Sequence, residues 1–121
     1  MVDILGFVSE QLDQIGVPYE FGEWTGAVTY PYFVGSFSET EHRLEDGYTG
    51  GTFTLDGWAR GAKLPLAEAN DKIKKTFEDL RAVRDGTAFF VTYESGFMLP
   101  TGEADLYRIT ITLTTSEWKG E

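Results

Sequence analysis

The stretch Leu106-Tyr107-Arg108-Ile109-Thr110-Ile111-Thr112-Leu113-Thr114-Thr115 decides the fold class, because apolar and polar residues alternate along it with a period of two. Tyr107, Ile109, Ile111 and Leu113 fall on one side, and Arg108, Thr110, Thr112 and Thr114 on the other. A strand of this kind has one core face and one wet face, the pattern of an antiparallel sheet. Residues 52–59 repeat it: Phe53, Leu55, Gly57 and Ala59 point one way, and Thr52, Thr54, Asp56 and Trp58 the other. Just upstream of the final strand, residues 88–95 read as its hairpin partner, with Gly96 and Leu99-Pro100-Thr101-Gly102 supplying the turn.

Further out, the period changes to that of helices. Leu66, Ala69, Ile73, Phe77 and Leu80 form one apolar stripe, and Pro65 suits the first turn. Glu68–Lys72 and Asp71–Lys75 are acid-first pairs four residues apart, and Asp85-Gly86 is expected to end this helix. At the other end of the chain, Leu5, Val8, Leu12 and Ile15 make a second stripe. Asp3 is placed to cap its start, Gly16 to take the left-handed position at its end, and Pro18 to block continuation. Residues 17–24 read as extended. Tyr32-Phe33-Val34-Gly35-Ser36-Phe37 reads as a strand that starts at Pro31, which cannot donate to a ladder. The polar stretch 38–51 reads as a loop or a hairpin arm. The expectation is one α+β domain over residues 1–121, ordered α-β-β-β-α-β-β. It should hold an antiparallel or mixed sheet of about five strands with two helices on one face.

Composition narrows the function classes. The net charge is −10 and there are no cysteines. Disulfides, thiolate chemistry and Cys-ligated zinc are therefore excluded. An acidic domain is repelled by nucleic acid and by anionic lipid, so phosphate-contact binding of a duplex and membrane association are not expected. No basic region precedes an apolar run at Met1-Val2-Asp3-Ile4, so no signal peptide is expected. At 41% apolar and 15% aromatic residues the chain has the composition of a folded domain, not of a disordered acidic one.

The charge is unevenly placed. Residues 1–59 hold ten acids and Arg43 alone as a base, whereas residues 60–84 hold seven bases and four acids. Lys72, Lys74, Lys75, Arg81 and Arg84 form the candidate basic face. A surface of two signs suits either a solvated, ion-paired helix or a head-to-tail contact between copies. Tyr19, Phe21, Trp24, Tyr30, Tyr32, Phe33 and Phe37 crowd the first third of the chain, as either an aromatic core or an exposed interface patch.

Catalytic equipment is sparse. His42 is the only histidine, there is no P-loop, and no Gly-rich fingerprint joins a strand to a helix. The densest set of possible ligands is Glu39, Glu41, His42, Glu45 and Asp46. It offers oxygen ligands for a divalent cation, yet its spacing lacks the alternation and distal Glu of a calcium loop. A solvated acidic loop is the plainer reading. A carboxylate pair of Glu94 with Glu103 or Asp105 would suit glycoside chemistry only at a fixed separation. No catalytic, cofactor-binding or metal-ligating residue is assigned, and no enzyme activity is expected.

In its element order the chain resembles the small tail-terminator or tail-completion proteins of long-tailed bacteriophages, including head–tail joining members. The residues that carry this are the first helix followed by Val17-Pro18-Tyr19-Glu20-Phe21-Gly22-Glu23, the strand Tyr32-Phe33-Val34 with its polar loop, the second helix, and Leu106-Tyr107-Arg108-Ile109-Thr110-Ile111. The resemblance implies a structural subunit without a cofactor. Such a subunit forms a ring, commonly hexameric, that ends the tail tube and docks to the head connector. It would be made in the host cytoplasm and end in the virion tail. Its partners would be other copies of itself, the tail tube protein and the connector, with DNA passing through unbound. On that analogy Glu39, Glu41, Glu45 and Asp46 would face the lumen, where like charge lets DNA slide. Lys72, Lys74, Lys75, Arg81 and Arg84 would face a neighbouring subunit. The alternative is a small-ligand or divalent-cation module with residues 39–46 at its mouth.

Overall fold

The computed structural model describes residues 1–41, with the backbone alone at Glu41, and residues 48–119. Its elements are α1 (Val2–Gln14), β1 (Tyr19–Phe21), β2 (Tyr32–Glu41), β3 (Thr49–Arg60), α2 (Leu64–Phe77), β4 (Leu80–Arg84), β5 (Thr87–Pro100) and β6 (Leu106–Lys119). The fold is α+β. Six strands lie in the order β1-β2-β3-β6-β5-β4. β1 runs parallel to β2, and every other neighbouring pair is antiparallel.

The alternation in β3 and β6 fixes the core face. Phe53 pairs with Leu113, Leu55 with Ile111 and Gly57 with Ile109. Phe53, Leu55, Ile111 and Leu113 are all fully buried. Phe33 of β2, with Phe89 and Val91 of β5, widens this face. Both helices pack on it. α1 contributes Ile4, Phe7, Val8 and Leu12, and α2 contributes Leu66, Ile73 and Phe77. The Phe7 ring stacks on Phe89 with centroids 4.8 Å apart. Tyr93 of β5 donates its hydroxyl to Asn70 Oδ1 at 2.9 Å, which ties α2 to the sheet.

Several expected boundaries are corrected. The sheet has six strands because the second helix stops at Phe77, and Leu80 belongs to β4 instead of the helical stripe. Glu78 is extended and Asp79 is left-handed at φ 52°, so the chain turns sharply there. Leu80 and Ala82 then pack against the core while Arg81 and Val83 point away, a period-two pattern. Asp85-Gly86 is a two-residue hairpin turn with both residues at positive φ, not a helix stop. Asp3 does not cap α1: the helix begins at Val2 with Met1 at the cap position and no side-chain cap bond, which leaves Asp3 in the first turn. Gly16 does take the left-handed position, at φ 73°. The turn expected at Gly96 and Leu99-Pro100 lies later, because β5 runs through to Pro100. A register shift at Glu94 absorbs one residue, so Phe97 and Leu99 come to share the face of Thr110 and Arg108. Of the stretch 38–51, residues 38–41 belong to β2 and 49–51 to β3, with Glu39 opposite Gly51 and Glu41 opposite Thr49, and its middle, 42–47, lies outside the described residues.

Candidate interaction surface

With both helices on one face, the other face of the sheet carries no helix among the described residues. Its side chains form rows across the strands. One row is Tyr32–Trp58–Arg108–Leu99, the next is Val34–Asp56–Thr110–Phe97, and the centre is Ser36–Thr54–Thr112–Ser95. The centre is therefore a hydroxyl band, with aromatic and charged groups toward both ends: Phe90, Arg81, Tyr48 and Trp118 at one, and a larger aromatic ladder at the other.

At that end Tyr32 stacks on Trp58 at 5.2 Å, with Trp24 and Tyr30 tilted against Tyr32 at 5.2 and 5.6 Å. The Trp24 indole donates to the Ala27 carbonyl at 3.3 Å, and the Thr25 hydroxyl and amide donate to Glu20, which folds residues 22–31 back onto this ladder. Arg108 lies over Trp58 and donates to Asp56 at 3.1 Å, and Thr110 donates to the same oxygen at 2.7 Å. Arg60 lies over Tyr30 and reaches Glu103 at 3.5 Å. A hydrogen bond that Arg60 donates to the Tyr30 hydroxyl raises the pKa of Arg60, burial opposes this, and the charges of Tyr30 and Glu103 add to the rise. Partial burial, and then the neighbouring Tyr30, raise the Tyr32 phenol above its ordinary value. Burial also raises Tyr19, an effect that the Ser9 hydroxyl partly offsets.

The aromatic-rich first third thus divides. Phe33 is core, Tyr19 and Phe37 pack against the core, Trp24 and Tyr32 are half-buried in the ladder, and Phe21 and Tyr30 are exposed. The largest exposed apolar run lies where a turn was expected: Phe97 is 61% exposed, Met98 43% and Leu99 40%. Sequence reading missed it because a Gly96–Pro100 segment looks like a turn. The signal that reveals it is the unbroken apolar run Phe97-Met98-Leu99, longer than a turn needs.

The expected basic face is divided between two elements. Lys72, Lys74 and Lys75 are exposed on α2, whereas Arg81 and Arg84 lie on β4. Lys74 sits over the Tyr93 ring and Arg81 over Phe90. Arg84 lies over Phe7 and pairs with Glu10 of α1 at 3.7 Å, so it is partly committed within the fold. Of the expected acidic group, Glu39 meets the Met1 ammonium at 3.4 Å, as does the buried Glu117. The side chain of Glu41, together with His42, Glu45 and Asp46, lies outside the described residues, so the expected cation site does too. Among the described residues, no cluster of three or more His, Asp or Glu side chains is arranged to hold a metal ion.

Glu94 is not brought to Glu103 or Asp105. It accepts from Thr114 at 2.9 Å, whereas Glu103 and Asp105 belong to the turn before Leu106. Eight residues of strand separate the two places, on the order of 25 Å. Among the described residues no helix is long and apolar enough to cross a membrane.

In comparisons with known proteins, no family model and no curated protein matches the chain.

Both edges of the sheet are only partly covered. β1 covers β2 from Phe33 to Gly35, which leaves residues 36–41 as edge. β4 covers β5 from Thr87 to Val91, which leaves residues 92–100 as edge. Uncovered edges with apolar side chains are templates for pairing with another chain.

Proposed function

We propose that this protein is a structural assembly subunit, in the role that its resemblance to tail-terminator and tail-completion proteins implies. It would form a ring at the end of a phage or prophage tail tube and dock that tube to the head connector. The observation that supports an assembly role is the uncovered edge of β5. There, residues 96–100 are exposed in succession and three of them are large and apolar. A monomer gains nothing from such an edge and is made aggregation-prone by it, whereas a subunit buries it. The resemblance supplies the tail context.

Deleting the gene from the phage or prophage that encodes it tests the reading. The expected outcome is heads and tails that fail to join, tubes of irregular length, and recovery when the gene is supplied in trans. Particles of normal yield, length and infectivity without the gene would refute it.

A further inference from the structure

The two edges of the sheet are stepped in complementary ways. β2 and β5 run in opposite directions, since three antiparallel steps separate them. The short strands β1 and β4 therefore cover opposite ends of the sheet. Following the register across all strands puts Leu80, Arg81 and Ala82 in the rows of Glu39, Thr40 and Glu41. It puts Tyr19, Glu20 and Phe21 in the rows of Met98, Phe97 and Gly96. Among the described residues, each edge has one protruding strand and one uncovered corner, and the protrusion of either edge matches the uncovered corner of the other in height.

We infer that the edge carrying β4 and β5 pairs with the edge carrying β1 and β2 of a second copy of this chain, so that the sheet continues from one copy to the next. β4 fills the corner beside residues 36–41, running parallel to β2. β1 fills the corner beside residues 92–100, running antiparallel to β5. In the lower half of this joint Tyr19 comes beside Met98 and Phe21 beside Gly96 on one face, and Glu20 comes beside Phe97 on the other. The upper half brings the exposed Arg81 of β4 beside Thr40, one residue from Glu39, on an edge where no lysine or arginine precedes Arg43. Glu78, Asp79 and Asp85 flank β4 and weaken that contrast, so the step fixes the register and the charge assists it. The contact joins unlike edges, so it repeats head to tail and closes into a ring or extends as a filament. Sheet twist relates the copies by rotation and not by translation alone.

This inference rests on the assembly-subunit reading but has its own test. The chain lacks cysteine, so introduced thiols pair only with one another. Thr40 and Arg81 share a row and the open face, and Ser38 is one pleat away from Thr40. Single variants Thr40→Cys, Ser38→Cys and Arg81→Cys of the full chain are mixed in pairs and oxidised mildly across a concentration series. The expected product is a mixed covalent dimer of position 81 with 40 or 38, in excess of either like-with-like dimer. Adding Phe97→Asp, which places a charge opposite Glu20 at the other end of the joint, should lower that yield roughly tenfold. Unchanged circular dichroism and melting would show that the variant remains folded. Predominant 40–40 or 81–81 dimers would overturn the head-to-tail joint in favour of a two-fold one. Oligomers by light scattering with no mixed disulfide would overturn the edge joint while leaving the assembly reading standing. Strictly monomeric protein with no disulfide would overturn the joint, and the gene deletion would then decide the assembly reading by itself.

Discussion

Gly57→Ala is a sharp test of how this sheet is packed. Gly57 lies on the core face of β3, directly opposite Phe33 of β2. A Cβ added there lands against Cε2 of the Phe33 ring and 2.5 Å from its Cδ2, where ordinary contact begins at 3.4 Å. The ring must retreat by about 1 Å, and it has nowhere to go, because Phe33 is fully buried. Overpacking of this kind costs about 1–3 kcal/mol, and the absence of a flexible neighbour puts Gly57 in the upper half of that range. Alanine restricts the unfolded chain and returns about 0.5–1 kcal/mol. The net loss is then about 2 kcal/mol. At roughly 2.1 cal/mol/K per residue the chain unfolds with an entropy of about 0.25 kcal/mol/K, so Tm falls by about 8 °C. Thermal and urea unfolding, followed by circular dichroism and tryptophan fluorescence, measure this. Phe33→Leu should also destabilise. Combined with Gly57→Ala it should cost less than the two single changes together, by about 1 kcal/mol, because the smaller side chain makes room for the methyl group. A Gly57→Ala protein that melts within 2 °C of the parent, or strictly additive losses, would refute the reasoning.

Gly6→Ala is the control: Gly6 is exposed on α1 with nothing within 4 Å of an added Cβ, so stability should rise by about 0.8 kcal/mol in the same urea titration. Asp56→Ala removes the shared acceptor of Arg108 and Thr110 at a half-exposed site, and should cost about 1 kcal/mol of unfolding free energy, with little further loss on adding Arg108→Ala. The Tyr19 phenol is held above the ordinary tyrosine value of 10.0 by burial, so the native state keeps its proton where the unfolded chain loses it. Its stabilising effect is complete below pH 10 and fades as pH rises toward the folded value. Tyr19→Phe should therefore flatten the alkaline fall in stability, as read by urea midpoints across that range. Calcium, magnesium and manganese should leave Tm unchanged; a large rise abolished by Glu41→Ala and Asp46→Ala would instead favour the cation-binding alternative.

Periodicity carried far where side chains alternate between two unlike environments. β3 and β6 were legible residue by residue, since each has a helix-covered core face and an open hydroxyl face. The split between α2 and β4 was not legible. Leu80 continues the helical stripe of Leu66, Ile73 and Phe77, and also begins a strand alternation with Ala82. Only the left-handed Asp79 decides between the two, and an aspartate signals that conformation weakly. β5 misled for a related reason: the extra residue at Glu94 inverts the apparent facing of everything after it, and Gly96 and Pro100 imitate a turn. The alternation places Gly57 on the core face, but nothing in the sequence says that a ring lies over it. Of the candidate surface, the charge groups were visible as composition. Their division between α2 and β4, and the stepped edges, depend on the register of strands far apart in the chain.

The layout of the open face bears on how copies would meet. Stacking two such faces would bury the hydroxyl band formed by Ser36, Thr54, Thr112 and their neighbours, and each hydroxyl would then need a new partner or cost desolvation. Edge pairing asks for no such burial. It satisfies backbone groups within residues 39–41 and 96–98, and it covers part of the exposed surface of Phe97 and Met98, whose removal from water is favourable. It also leaves the hydroxyl band facing outward from every copy, so a ring built this way would carry a continuous polar surface on one side. On the proposed tail-terminator reading that surface is the natural wall for a passage. The choice is open to measurement: edge pairing protects amides within residues 96–98 from hydrogen exchange on association and leaves Thr54 and Thr112 side chains accessible, whereas face stacking does the reverse.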